Sequence, residues 1–133
     1  MLPDFKFHHI GIATTDIDKT AEYYLDTGFS MTEKVTDPVQ NVKISFLTKD
    51  GMPRIELLEP AGENSPVSRI LSKSGAGPYH LCYEVDDIEA GICELKKKHF
   101  IPLSRPVQAI ALDNRLICFL YNADVGLIEI LQK

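Results

Sequence analysis

A chain of 133 residues that is 44% apolar and 25% charged has the make-up of one compact globular domain, which argues against extended disorder. A net charge of -5, a pI near 5.3 and no basic stripe argue against a nucleic-acid-binding surface, and no window approaches the ~20 apolar residues of a membrane helix. Three scattered cysteines, Cys82, Cys93 and Cys118, form no CxxC pair, and the start MLPDFKFHHI shows no leader pattern, so a reduced, cytoplasmic protein is expected.

In chain order, the strand-favouring run Phe7–Ala13 opens the pattern. Thr15 with Asp18 forms a weak capping box, and a helix follows with Ile17, Ala21, Tyr24 and Leu25 on one face and Gly28 as its stop. Strands are expected at Met31–Val35, Val42–Thr48 and Arg54–Glu59, with a hairpin turn at Lys49-Asp50-Gly51. Ser65 caps and Pro66 opens a linker helix over about residues 65–74, with Val67, Ile70 and Leu71 facing inward, and Gly75-Ala76-Gly77-Pro78 ends it. The second half repeats the order: a strand at Tyr79–Val85, a capping pair in Asp86 and Glu89, and a helix facing inward through Ile88, Ile92 and Leu95. Strands at Ile101–Leu103, Arg115–Tyr121 and Gly126–Leu131 complete it.

Each half therefore reads β-α-β-β-β, and the sequence itself is duplicated. HIGIATTDI at residues 9–17 matches HLCYEVDDI at residues 80–88 at an offset of 71, and IELL at 55–58 matches IEIL at 128–131 at an offset of 73. Modules at about 5–59 and 79–132 follow, within a single domain of residues 1–133.

The duplication gives weight to four residues. His9 shares its strand face with Phe7, Gly11 and Ala13, and the small residues among them leave room beside an imidazole. Glu56 and Glu129 stand in apolar strand runs, where an unpaired carboxylate is costly to bury. Taken singly, each reads as an ordinary core histidine or a solvent-facing glutamate. Taken together, His9 with Glu56 and His80 with Glu129 recur in order. Two such halves about a pseudo-twofold axis would bring two imidazoles and two carboxylates to one centre, a shell for a borderline divalent ion with two open positions. The cysteines lie outside this set, unlike those of a structural zinc site. His8 points away from His9, His99 follows a solvated lysine run at a helix end, and Gln40 and Gln108 carry no specific signal.

These residues resemble the vicinal oxygen chelate superfamily, which includes glyoxalase I, methylmalonyl-CoA epimerase, extradiol dioxygenases and antibiotic-resistance proteins. HHIGIATTDIDKTAEYY is similar to its opening motif. RIELLEPAGENSPVSRIL and YHLCYEVDDIEAGICELKKK resemble methylmalonyl-CoA epimerases and small bacterial glyoxalase-like proteins, and VGLIEILQ resembles their closing strand. The resemblance implies an α+β fold of two βαβββ modules in an open, cupped mixed sheet around the metal, commonly a homodimer. It places His9, Glu56, His80 and Glu129 as ligands of one divalent ion (Ni, Co, Zn, Mn or Mg). It also makes Glu129 the first candidate for the catalytic base and Glu56 the second. Where epimerases often have Gln, this chain has Glu56. Their His-Pro-Lys is absent from FLYNADVG, and the strand Val42–Thr48 holds no additional acid.

The expected activity is metal-dependent proton transfer next to a carbonyl through a stabilised enolate, epimerase-like, on an acyl-CoA. The alternatives are a glyoxalase I-type lyase acting on a glutathione hemithioacetal and a metal-free antibiotic-binding protein. An iron dioxygenase needs only two histidines and one carboxylate, so Glu56 speaks against it.

Overall fold

The computed structural model describes residues 4–133, so the first three residues of the expected start lie outside the described residues. The chain divides into two compact units: His9–Tyr79, and the residues up to His8 together with His80–Lys133.

In the unit His9–Tyr79, strand β1 (Lys6–Ala13, whose first residues belong to the other unit) leads into helix α1 (Ile17–Asp26). Strands β2 (Ser30–Met31), β3 (Val35–Asp37), β4 (Val42–Thr48) and β5 (Ile55–Pro60) come next, then helix α2 (Pro66–Ser74). The sheet order is β2-β4-β5-β1, with β3 also on β4. β1 and β5 run parallel and the other pairs antiparallel. One sheet face carries Ile12, Leu47, Ile55 and Leu57, which pack against Ile17 and Ala21 of α1 and against Phe29. The other face carries His9, Gly11, Phe46 and Glu56 by strand alternation and register.

The second unit repeats this plan. Strand β6 (Gly77–Val85) leads into helix α3 (Ile88–Lys97), then β7 (Ile101–Pro102), β8 (Val107–Ala109), β9 (Arg115–Asn122) and β10 (Gly126–Gln132). The order is β6-β10-β9-β7 with β8 also on β9, and only β6 and β10 are parallel. Val85, Ile88, Ile92, Leu95, Phe100, Leu120, Ile128 and Ile130 form its core, with Phe5 and Tyr83 packed against it.

Three expectations need correction. The caps are Asp16 and Asp87 rather than Thr15 and Asp86. Asp16 accepts from Lys19 N at 3.2 Å and Asp87 from Ala90 N at 3.1 Å, because each helix begins at the isoleucine of its Asp-Ile pair. Leu25 is 46% exposed and not part of the buried helix face. The strand expected at Met31–Val35 is split into β2 and β3, because Thr32 Oγ1 takes the ladder bond from Phe46 N at 2.9 Å while the Thr32 carbonyl accepts from Ser45 Oγ at 2.6 Å. The corresponding stretch of the second unit is split likewise, and β8 is an additional strand. Pro102 and Pro106 lack the donors a continuous ladder needs. The linker helix matches its expected span, with Ser65 accepting from Val67 N.

Both repeated helices end in the same way. Phe29 N donates to Tyr24 O at 3.1 Å and Phe100 N to Leu95 O at 3.1 Å, and the residue before each phenylalanine is left-handed: Gly28 at φ 98° and His99 at φ 67°. At the same structural position one unit has the residue suited to that conformation and the other a strained histidine with an exposed side chain. His99→Gly should therefore raise the unfolding free energy by about 0.5–1 kcal/mol, since relief of left-handed strain exceeds the added backbone entropy. Urea denaturation checks this; a loss of stability would show that the His99 side chain makes a compensating contact.

Candidate metal centre

A glutamate on the polar face of each sheet faces a histidine of its own unit. In the first unit Glu56 of β5 lies in register with Gly11, two residues beyond His9, and His9 Nε2 is 3.3 Å from Glu56 Oε1. In the second, Glu129 of β10 lies in register with Cys82, two residues beyond His80, and His80 Nε2 is 3.2 Å from Glu129 Oε1. The histidine-plus-two register and the atoms that meet are thus the same in both units. All four side chains are buried, none more than 3% exposed.

Such a pair cannot stand as bare lone pairs. A neutral ring nitrogen and a carboxylate oxygen repel unless a proton or a cation lies on that edge, and an uncompensated buried carboxylate costs several kcal/mol. The spacing fits a shared cation. Two donors each about 2.1 Å from one ion, at angles between a right angle and the tetrahedral value, stand roughly 3.0–3.4 Å apart. Imidazole nitrogen with carboxylate oxygen is also a donor set that borderline divalent ions accept. His9 with Glu56, and His80 with Glu129, are therefore each able to hold a metal.

The strands that present these groups are fastened alike. Three residues beyond each glutamate, a side chain returns to a helix N-terminus: Ile17 N donates to Glu59 Oε1 at 3.1 Å, and Ile88 N to Gln132 Oε1 at 2.8 Å. Gln132 Nε2 also donates to the Asp86 carbonyl. Each bond satisfies a first-turn amide that the helix leaves without an internal partner.

The other sequence candidates stay outside the pairs. His8 is half-buried and His99 exposed. Lys97 bonds Glu94 at 2.9 Å, and Gln40 Nε2 donates to Asp37 at 2.7 Å, a turn-stabilising role. Val42–Thr48 holds no carboxylate.

Two residues were missed from the sequence. Phe46 is the register partner of Glu56 and meets the His9 ring edge-on, centroids 5.6 Å apart and planes at 74°. Phe119 is the register partner of Glu129 and meets His80 at 5.1 Å and 89°. The signal was present: ISFL at residues 44–47 and ICFL at 117–120 repeat at the same offset of 73 as the glutamates.

Comparison with known proteins agrees with this geometry. Residues 8–119 match the glyoxalase/bleomycin resistance protein/dioxygenase superfamily. The chain belongs to that superfamily. It is 36% identical to the mitochondrial methylmalonyl-CoA epimerase of Homo sapiens, covering 96% of this chain and 73% of the human one. It is 33% identical to the ethylmalonyl-CoA/methylmalonyl-CoA epimerase of Cereibacter sphaeroides, covering 96% and 97%. Its fold matches a variant of methylmalonyl-CoA epimerase from Streptomyces coelicolor, solved in complex with 2-nitronate-propionyl-CoA, with a TM-score of 0.82, 30% identity and 96% of both chains covered. The vicinal oxygen chelate resemblance and the α+β architecture read from the sequence are borne out, and the relatives support its epimerase-like reading.

The fastening of the two glutamate strands can be tested directly. Glu59→Ala and Gln132→Ala should each lower stability by about 1 kcal/mol through loss of a helix-terminal hydrogen bond, Gln132→Ala by more because two bonds go. Chemical denaturation measures the losses, and no loss in either variant would mean that water replaces these bonds at no cost.

Proposed function

We propose that this chain is a divalent-metal-dependent epimerase acting next to the thioester carbonyl of a methylmalonyl-CoA-type substrate, with His9, Glu56, His80 and Glu129 together holding one ion. The observation that carries this reading is the repeated buried imidazole–carboxylate pair, at 3.3 Å in one unit and 3.2 Å in the other, in a chain whose relatives are methylmalonyl-CoA epimerases. Two neutral imidazoles and two carboxylates balance the charge of a divalent ion, which accounts for burying both glutamates. When bound, the ion supplies the positive charge that makes an enolate accessible near neutral pH.

The chain's own residues handle the proton. Glu129 is the base. Its carboxylate takes the proton from the carbon next to the carbonyl, and the bonding electrons pass into the carbonyl as an enolate. Return of a proton to the opposite side of that carbon inverts it. Glu56 holds the equivalent register in the other unit and is the group assigned to that return, passing on a proton it takes from water, while Glu129 releases its proton to water, so that both end the turnover as carboxylates. The imidazoles of His9 and His80 hold the ion and move no proton. Phe46 and Phe119 keep apolar surface beside the reacting carbon's carboxylates, which favours proton transfer over solvation.

The same reading makes the enzyme a cytoplasmic homodimer with an acyl-CoA as its small-molecule partner. A complex of a relative with 2-nitronate-propionyl-CoA supports the ligand class. Among the described residues no helix is long and apolar enough to cross a membrane.

Solvent deuterium entering methylmalonyl-CoA, tracked by mass spectrometry, tests the assignment. Glu129→Gln keeps size and an oxygen ligand but removes the charge. Metal occupancy should fall partly while exchange drops about 10²–10⁴-fold, the usual contribution of a general base. His9→Ala should lose metal and exchange together. A metal-loaded Glu129→Gln variant exchanging at the wild-type rate would move the base to Glu56. Turnover of the methylglyoxal–glutathione hemithioacetal without exchange into methylmalonyl-CoA would make the enzyme a glyoxalase. A wild-type protein that takes up no metal and exchanges no substrate would overturn the enzymatic reading in favour of a binding protein.

A further inference from the structure

The two phenylalanines that sit beside the glutamates are too exposed to be explained by the cores. Phe46 and Phe119 are only half-buried, and they lie on the sheet face opposite the one that packs against the helices. The adjacent residues on the core side, Leu47 and Leu120, are fully buried and supply the packing of those strands. Each phenylalanine spends its ring instead on one histidine: Phe46 on His9 at 74°, and Phe119 on His80 at 89°. Register opposite a glutamate, ring-to-ring distance and near-perpendicular geometry are all reproduced in both units, although other positions of these strands differ. Lys43 and Ser45 of β4 stand where β9 has Leu116 and Cys118.

A histidine side chain has a soft final torsion, so that burial alone leaves two ring orientations open. Only one of them aims Nε2 at the carboxylate. An aromatic ring standing perpendicular to the imidazole blocks rotation about that torsion, and the ring quadrupole favours the edge-on arrangement over a stacked one. A leucine in its place would fill space without giving that direction.

We propose that Phe46 and Phe119 are positioning residues, one per unit, that lock the His9 and His80 imidazoles with Nε2 aimed at Glu56 and Glu129. The inference rests on the metal-holding role proposed for those histidines, and extends it to residues that touch the ligands without being ligands. Each ring meets the imidazole of its own unit, so Phe46 governs His9 and Phe119 governs His80. A ring held in this way lowers the ordering that metal binding demands. Groups that orient a metal-binding histidine typically affect metal affinity by 10–100-fold.

The test uses the full chain and four variants: Phe46→Leu, Phe119→Leu, Phe46→Tyr and Phe119→Tyr. Titration calorimetry with Ni²⁺ or Co²⁺ should show each leucine variant binding about tenfold more weakly, with the tyrosine variants within about twofold of wild type because the ring is kept. The unfolding temperature of the metal-free leucine variants should stay close to wild type, which separates positioning from general packing. Histidine-labelled NMR of the metal-free protein provides a readout independent of metal. The His9 ring signals should move and broaden in Phe46→Leu alone, and the His80 signals in Phe119→Leu alone. Wild-type affinity in both leucine variants, or affinity lost only in proportion to stability, overturns the proposal. If the wild-type chain takes up neither ion, the metal reading fails by itself. The histidine spectra then decide the lock, and ring signals unchanged in both leucine variants overturn it.

Discussion

The constraint on which this structure turns is the burial of a carboxylate against an imidazole, twice. A glutamate at the middle of an apolar strand is unfavourable by propensity and by desolvation, and only a close cationic or proton-bearing partner makes it tolerable. In each unit the partner is supplied by the parallel neighbour strand, two residues before the point where the register meets the glutamate. That geometry requires the histidine strand and the glutamate strand to be adjacent and parallel. A parallel pair needs a long crossover between its strands, and the helix and intervening strands of each unit provide it. The βα start, the order β2-β4-β5-β1 and its counterpart β6-β10-β9-β7 all result from bringing those two strands side by side.

Much of this is legible in the sequence, because the duplication lets weak signals reinforce each other. The pairs His9/His80 and Glu56/Glu129 stand out by offset alone, and the spans of α2 and β4 match their expected limits. The features that the sequence conceals have definite physical causes. The expected caps are off by one residue because Thr15 and Asp16, like Asp86 and Asp87, are both chemically able to cap, and only the start of the inward-facing isoleucine decides between them. The split of the second strand depends on Thr32 substituting its hydroxyl for a backbone acceptor, a tertiary bond to Phe46 that no local pattern announces. Phe46 and Phe119 escape notice because an aromatic in a strand reads as core. Only the register reveals that they share a face with the glutamates rather than with the leucines beside them.

The glutamates are also held from the far ends of their own strands. Glu59 and Gln132 differ in charge, yet both reach an amide at the start of the helix that succeeds the histidine strand. The end of each glutamate strand is therefore tied to the element that begins where the histidine strand stops. A carboxylate buried 3.2–3.3 Å from an imidazole needs a backbone that does not drift, and these ties set that backbone in both units by the same device. The chain needs an acceptor at that position, and it tolerates either an acid or an amide to supply one.

Where the duplication fails is as telling as where it holds. The positions equivalent to Ala13 and Val42 in the second unit are Glu84 and Arg115, whose guanidinium Nη2 lies 2.6 Å from the carboxylate while Nε donates to the Gln132 carbonyl at 2.7 Å. The hydrogen bond and charge of Arg115 hold the Glu84 carboxyl below the usual carboxylate range. At the sheet edge, Ser30 and Thr48 of one unit stand where Ile101 and Tyr121 of the other are exposed by 64% and 46%. These departures lie toward strand ends and sheet edges, where solvent access makes either chemistry cheap. Among the residues that stayed alike are the two histidines, the two glutamates, the two phenylalanines on the imidazoles, and the aspartates that cap α1 and α3. Buried Thr14 and Ser45 have given way to Val85 and Cys118 at the equivalent positions of the other unit, whereas both imidazole–carboxylate pairs recur intact, which sets the pairs apart from the ordinary buried polar residues of the repeat.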